Sequence, residues 1–237
     1  MMEECVNFLS DNFKLEGILS YTEDSGSDKD DYGIVLLCSP HPGLGGDMDN
    51  NVVLAMTEAL TSIGFVTLRF NYRGVGASES RFADISQKFE YWESTMGSED
   101  YGDFITDVES AIKCLKRDAG FLAGSFCAVA GYSFGAIQAL RVGIKDDDVN
   151  GVVCISTPFV KYDLSFAEDS VKPTFFINSD NDFAASMEEV VNGVERFSEP
   201  KCLEMITNCD HFYRDKEGLV SEKVIKFLKI IKEHYKG

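Results

Sequence analysis

Residues 131–135, Gly-Tyr-Ser-Phe-Gly, form a pattern that can carry nucleophilic chemistry. A short apolar run, residues 126–130, precedes this pattern, and a run typical of a helix, residues 136–140, follows it. A serine at such a strand–turn–helix junction exposes its hydroxyl at the end of a sheet, and the flanking glycines leave room for neighbouring backbone. The pattern therefore predicts that Ser133 is a nucleophile at a sharp turn, an arrangement called a nucleophile elbow.

A nucleophilic serine needs a base that accepts its proton, and that base needs an acid that orients it. The chain has three histidines. His234 lies among charged residues near the C-terminus and is interpreted as a solvated surface residue, whereas His41 lies in a Gly/Pro loop and is interpreted as structural. His211 follows a predicted strand and precedes the last predicted helix. This position predicts that His211 is the base.

The orienting acid is expected between Ser133 and His211, directly after a strand. Residues 177–182 read Ile-Asn-Ser-Asp-Asn-Asp and offer two carboxylates, Asp180 and Asp182. Because both follow the same apolar run at short distance, the spacing alone leaves the two aspartates open as the acid.

Strands and helices alternate along most of the chain that must position these side chains. Alternating or continuous apolar patterns predict strands at residues 12–21, 32–38, 65–70, 126–130, 149–156, 173–178 and 202–207. Helical spacing of apolar residues predicts helices at residues 50–63, 103–117, 136–140, 186–197 and 218–236. The alternation predicts a single α/β domain over residues 1–237, with a mainly parallel sheet and helices on both faces.

Composition excludes several classes of function. The net charge of −18 disfavours nucleic acids and anionic membranes as partners. Seven dispersed cysteines without a Cys-x-x-Cys pair indicate reduced thiols and argue against a disulfide framework or a zinc site. The chain shows no signal peptide and no transmembrane run of about 18 apolar residues. We therefore expect a cytoplasmic protein that does not insert into membranes and uses no metal or cofactor.

Two longer motifs resemble a known superfamily. Residues 40–50 read Pro-His-Pro-Gly-Leu-Gly-Gly-Asp-Met-Asp-Asn, and residues 68–78 read Leu-Arg-Phe-Asn-Tyr-Arg-Gly-Val-Gly-Ala-Ser. Together with residues 131–135 and the pair at 210–211, they resemble the α/β-hydrolase superfamily, and more narrowly the small bacterial-type α/β hydrolases related to dienelactone hydrolases. The resemblance covers about residues 33–235. It implies an α/β-hydrolase fold without a large cap domain, and the chain order Ser, Asp, His.

The resemblance also implies roles for single residues. It assigns the acid to Asp182, with Asp180 as the rival because Asn-Ser at residues 178–179 replaces the His-Gly of the family pattern. It implies an oxyanion hole made by the backbone amides of Phe134 and Leu44, with Gly43 as an alternative to Leu44. Each such donor contributes roughly 3–4 kcal/mol to stabilising the transition state of acyl transfer.

These features predict a serine hydrolase that cleaves small to medium carboxylic esters or thioesters through an acyl-enzyme. The expected partner is a small-molecule substrate, and nothing in the sequence indicates the oligomeric state. One alternative is a peptidase or acyl-peptide hydrolase, which shares the fold and the three residues. Another is a binding protein that keeps the fold without turnover, although the complete Ser/Asp/His set argues against it.

Residues 80–97 depart from the resemblance, because this connection is longer here than in the similar hydrolases. Apolar side chains recur at helical spacing along it, namely Phe82, Ile85, Phe89, Trp92 and Met96. One interpretation is a helix packed permanently on the body. The other is a small helical lid whose Phe89 and Trp92 shape the substrate pocket.

Overall fold

A central sheet with helices on both faces forms the body of the protein, seen in a computed structural model that describes residues 1–23, 33–96, 101–120 and 125–235. The strands are β1 (Met2–Ser10), β2 (Phe13–Tyr21), β3 (Gly33–Cys38), β4 (Val66–Phe70), β5 (Phe126–Tyr132), β6 (Gly151–Ile155), β7 (Thr174–Asn181) and β8 (Lys201–Asp210). The helices are α1 (Asn51–Ser62), α2 (Ile85–Ser94), α3 (Gly102–Asp118), α4 (Phe134–Gly143), α5 (Ser165–Glu168), α6 (Met187–Glu195) and α7 (Glu217–Tyr235).

The eight strands of this sheet lie in the order β1-β2-β4-β3-β5-β6-β7-β8. Strand β2 is antiparallel to both of its neighbours, and all other neighbouring strands are parallel. In the middle of the sheet, Leu36 of β3 pairs with Leu68 of β4 and with Val129 of β5. This is the α/β-hydrolase fold class that the sequence predicted. The carboxyl ends of the parallel strands meet at one edge, where open α/β sheets bind ligands.

Successive residues of the central strands pack into two different cores. Leu36 joins a cluster with Phe104 of α3 and Ile137 of α4. Val35, its neighbour, joins the cluster on the opposite face with Met56 of α1 and other residues of α1 and α7. Because both faces of β3 are covered, all six of its residues are buried, which explains its continuous apolar sequence.

The sequence predictions for the main elements are confirmed, with differences at their ends. Strands β7 and β8 are longer than predicted and extend to residues 181 and 210. The predicted acidic turn at residues 22–31 lies mostly outside the described residues. Strand β1 was not predicted, because it is an acidic edge strand in which most side chains are exposed. No helix among the described residues has the length and apolar character needed to cross a membrane.

The segment at residues 80–97 contains a helix, α2, but its apolar side chains do not share one environment. Asp84 caps the helix by accepting a hydrogen bond from the Ser86 amide at 2.8 Å. Trp92 is buried and packs against Gly74, whereas Ile85 and Phe89 are 57% and 43% exposed. Trp92 is therefore part of the core, and the apolar stripe is divided between core and surface. Residue 97 lies outside the described residues.

Substitution of the two aromatic residues of α2 should separate these environments. Trp92→Ala should lower the free energy of unfolding by about 3–5 kcal/mol, because it leaves a cavity in the core. Phe89→Ala should cost clearly less, about 1 kcal/mol, because the side chain is 43% exposed even though its ring contacts Trp92. Urea unfolding followed by circular dichroism measures both values. Equal losses would show that α2 packs more deeply than its exposure indicates.

Candidate active site

The turn between β5 and α4 holds Ser133 in a strained backbone conformation, with φ 57° and ψ −117°. A Cβ on Gly131 would lie 2.0 Å from the carbonyl oxygen of Gly135, and a Cβ on Gly135 would lie 2.2 Å from the carbonyl oxygen of Cys38. Both glycines are therefore required by the close approach of backbone. The Ser133 amide donates to the Ile155 carbonyl at 2.7 Å, which ties the turn to β6.

Three side chains from distant parts of the sequence form a continuous hydrogen-bonded chain. His211 Nδ1 lies 2.7 Å from Asp182 Oδ1, and His211 Nε2 lies 3.2 Å from Ser133 Oγ. Because the carboxylate can only accept, the imidazole carries its proton on Nδ1 and leaves Nε2 free to accept from the serine hydroxyl. The structure thus brings together the serine, the histidine and one of the two aspartates named from the sequence.

Asp182 is held in its orientation by further donors. Its side chain is fully buried. Its Oδ2 accepts from Ser156 Oγ at 2.6 Å, and its Oδ1 also accepts from the Ala184 amide at 2.7 Å. Burial opposes ionisation of this carboxyl group, but the hydrogen bonds from His211, Ser156 and Ala184 outweigh burial and lower its pKa. Asp182 is therefore an ionised acceptor for the imidazole.

Asp180, the rival aspartate, is engaged elsewhere. Its carboxylate accepts from the backbone amides of Asn208 at 2.9 Å and Cys209 at 3.2 Å, near the end of β8. These two hydrogen bonds lower the pKa of Asp180. The side chain therefore fastens β8 to β7, and it makes no hydrogen bond to His211.

Two tyrosines that the sequence did not single out support the histidine loop. Tyr132 Oη donates to the His211 carbonyl at 2.7 Å. Tyr213 Oη lies 2.8 Å from Ser156 Oγ, the group that donates to Asp182. Tyr132 lies inside the elbow pattern, and Tyr213 lies two residues after His211. Their closeness in sequence to the predicted catalytic residues was the only signal that could have identified them.

A pocket of about 350 Å³ opens in front of Ser133 and His211. Its lining, as far as residues 1–23, 33–96, 101–120 and 125–235 form it, is mainly apolar and includes no aspartate or glutamate. It consists of His41, Leu44, Met96, Ser133, Phe134, Pro158, Lys161, Tyr162, Phe183, Ala184 and His211. Phe89 and Trp92, the two pocket residues expected from the sequence, are not in this lining. Met96, which follows α2, is the member of the same apolar stripe that reaches the pocket.

The expected oxyanion donors differ in their hydrogen bonding. Phe134 occupies the first position of α4, where a backbone amide has no acceptor within the helix. The Leu44 amide donates to the His41 carbonyl at 3.0 Å within a short 3₁₀ turn (Pro42–Leu44). The Gly43 amide donates to His41 Nδ1, also at 3.0 Å. Leu44 or Gly43 can bind a substrate oxygen only by exchanging or sharing these bonds.

His41 links this turn to the end of α2. Because its Nδ1 accepts from Gly43, its Nε2 carries the proton and donates to Thr95 Oγ1 at 2.9 Å. Thr95 Oγ1 in turn donates to the Trp92 carbonyl at 2.6 Å. Both His41 and Thr95 are buried, and burial lowers the pKa of His41 to about 4. The structural role expected for His41 is therefore confirmed as a neutral bridge between two segments of the pocket wall.

Side chains that bind metals are dispersed through the part of the chain that the structure describes. Within it, no three His, Cys, Asp or Glu side chains are grouped closely enough to hold an ion. All seven cysteines are free thiols, as the sequence predicted.

Comparisons with known proteins show which family and which fold the chain resembles. A family model described as "Serine aminopeptidase, S33" matches residues 43–211. An uncharacterized protein from Rickettsia prowazekii (strain Madrid E) is 29% identical over 210 residues, which cover 85% of this chain and 81% of that protein.

Solved structures with the same fold include an α/β serine hydrolase without a lid from Xanthomonas campestris, with 21% identity and a TM-score of 0.77. The match covers 97% of this chain and 94% of that one. An esterase from Pyrococcus furiosus has 21% identity and a TM-score of 0.73, over 96% of this chain and 92% of that one. At this identity the likeness shows the fold, and the narrower resemblance to dienelactone hydrolases stays a prediction.

The burial of His41 predicts a pH-dependent stability. Its folded pKa of about 4 lies below the ordinary histidine value of about 6.5, so between these values the unfolded chain binds a proton that the folded chain does not. Stability from this residue is therefore complete above about pH 6.5 and is lost as the pH falls towards 4. We expect wild type to lose about 3 kcal/mol more than His41→Gln between pH 7 and 4.

Denaturant unfolding at several pH values measures this difference. His234→Gln is the matched control, because His234 is exposed in α7 and its replacement should leave the wild-type pH dependence unchanged. Parallel stability curves for wild type and His41→Gln would contradict the prediction.

Proposed function

The chain belongs to the serine aminopeptidase S33 family of the α/β-hydrolase superfamily, and we propose that it is a serine hydrolase that cleaves small to medium carboxylic esters or thioesters. The observation that carries this proposal is the hydrogen-bonded chain Ser133–His211–Asp182 at the floor of an apolar pocket. A base and an oriented acid in this geometry are what a serine hydroxyl needs to become a nucleophile.

In the proposed mechanism, Ser133 Oγ attacks the substrate carbonyl carbon while His211 Nε2 takes the hydroxyl proton. Asp182 stabilises the imidazolium that forms, through the hydrogen bond to Nδ1. The tetrahedral intermediate expels the alcohol or thiol, which receives the proton from His211, and an acyl-enzyme remains on Ser133. Water then attacks the acyl-enzyme with His211 again as base, which releases the acid and restores the serine.

The oxyanion of the intermediate is proposed to bind the Phe134 amide first. A second donor is supplied by Leu44 when its amide exchanges the His41 carbonyl for the substrate oxygen. A preorganised donor such as the Phe134 amide contributes roughly 3–4 kcal/mol to stabilising the transition state, and the Leu44 amide contributes less because it must first give up its bond to the His41 carbonyl. The His41–Thr95 bridge supports this donor, because it fixes the position of the turn that carries it.

The pocket lining favours esters over peptides with a free amino terminus. An aminopeptidase must bind the ammonium group of its substrate, for which a carboxylate is the natural partner. Among the described residues, the pocket lining contains no aspartate or glutamate, and Lys161 in that lining would repel an ammonium group.

Labelling with a fluorophosphonate probe tests the nucleophile and separates an enzyme from a binding protein. Wild type should become labelled, because the probe phosphonylates an activated serine, whereas Ser133→Ala should not. Ser221→Ala is the matched control, since it removes a buried serine hydroxyl on α7, outside the pocket lining, and keeps the nucleophile. Equal labelling of wild type and Ser133→Ala, or no labelling of wild type, would overturn the proposal.

The two aspartates make different predictions. Asp182→Asn should lower kcat on the order of 10⁴-fold, because the imidazole loses its correct tautomer. Asp180→Asn should cost far less, since that side chain contacts backbone amides of β8. Steady-state hydrolysis of 4-nitrophenyl butanoate measures both effects, with circular dichroism to verify folding. A larger loss for Asp180→Asn would reverse the assignment.

The neighbouring thiol is not expected to replace the serine. Burial raises the pKa of Cys209, which keeps it protonated and a poor nucleophile. Its Sγ donates to the Asp210 carbonyl at 3.4 Å, and Cys209 is not in the pocket lining.

A further inference from the structure

Lys161 places a positive charge in the wall of the proposed substrate pocket. It lies after β6, and its Nζ is 5.8 Å from the ring centroid of Phe183. The Phe183 ring is in turn 4.5 Å from the ring of His211. One aromatic ring therefore separates the ammonium group from the base, a distance that a short aliphatic chain can span.

No carboxylate within the described parts of the chain neutralises this charge. Lys161 takes part in none of their ion pairs. The part of the pocket lining that the structure describes includes no aspartate or glutamate, and burial keeps His41 neutral at physiological pH. The nearest acidic residue in the sequence, Asp163, instead accepts hydrogen bonds from the amide and the hydroxyl of Ser165.

A cation beside an apolar channel selects for a substrate that is apolar near the reacting carbonyl and anionic further away. We infer that the protein prefers esters or thioesters with a carboxylate at the end of the group that occupies this pocket, and that Lys161 determines this specificity. The inference rests on the proposed function of the same site. Lysine is suited to this role because its flexible stem lets the ammonium group follow ligands of different length.

Two pairs of esters test the inference and locate the anionic group. The acyl pair is mono-4-nitrophenyl adipate and its methyl-ketone isostere, 4-nitrophenyl 6-oxoheptanoate. The alcohol pair is 4-carboxyphenyl butanoate and 4-acetylphenyl butanoate. For one of the two pairs, we compare kcat/KM for the carboxylate ester with kcat/KM for the ketone ester. The ratio of these two values should be about fivefold lower in Lys161→Met than in wild type, which is the size expected of a partly exposed ion pair.

Lys161→Arg should keep most of the ratio, because it retains the charge. Lys226→Met is the matched control: it removes one positive charge from an exposed position on α7, outside the pocket lining, and should leave the ratio unchanged. The wild-type preference should also decrease as NaCl is raised from 20 to 500 mM, an effect of screening.

The outcomes are distinguishable. Loss of selectivity in Lys161→Met but not in Lys226→Met supports the inference, and the pair that responds shows whether the acyl or the alcohol side carries the anion. If wild type hydrolyses the ketone esters but Lys161→Met leaves both ratios unchanged, the inference is wrong and the proposed function stands. If wild type hydrolyses none of the four esters and resists the fluorophosphonate, the proposed function fails and the inference fails with it.

Discussion

The strained backbone at Ser133 is the constraint on which the site depends. A residue with a positive φ would relax if the turn were free, but β5 lies in the middle of the sheet and pairs with β3 and β6. The tight backbone contacts at Gly131 and Gly135 also restrict the turn to this conformation. The parallel sheet also assembles the site, because it brings the ends of β7 and β8, and with them the acid and the base, to the same edge as this turn.

Much of this arrangement was readable from the sequence, because buried parallel strands are continuous apolar runs and the elbow has a fixed spacing. The spacing left the choice between Asp180 and Asp182 open, and only the resemblance favoured Asp182. Side chains two residues apart on a regular strand point to the same face, but the pairing of β7 with β8 shifts register between Ser179 and Asn181. This irregularity separates the two carboxylates, so that one contacts amides of β8 and the other contacts His211.

The pocket wall was harder to predict for a related reason. Helical spacing identified the apolar stripe of α2, but spacing does not say which side of a helix meets the body of the protein. The orientation is set by contacts between residues far apart in sequence, such as the bridge from His41 to Thr95 and the packing of Trp92 on Gly74. As a result the sequence named Phe89 and Trp92 as pocket residues, whereas the structure puts Met96 in the lining.

The location of His211 directly after β8 has a consequence for how activity and folding are related. Strand β8 is at the edge of the described sheet and pairs with β7 alone. Ser133 directly follows β5, which pairs with β3 on one side and with β6 on the other. Edge elements open in local fluctuations that cost less free energy than global unfolding. The base is therefore attached to a part of the sheet that opens more easily than the part that carries the nucleophile. Local opening of β8 would therefore move the base away from the serine while the central strands remain paired.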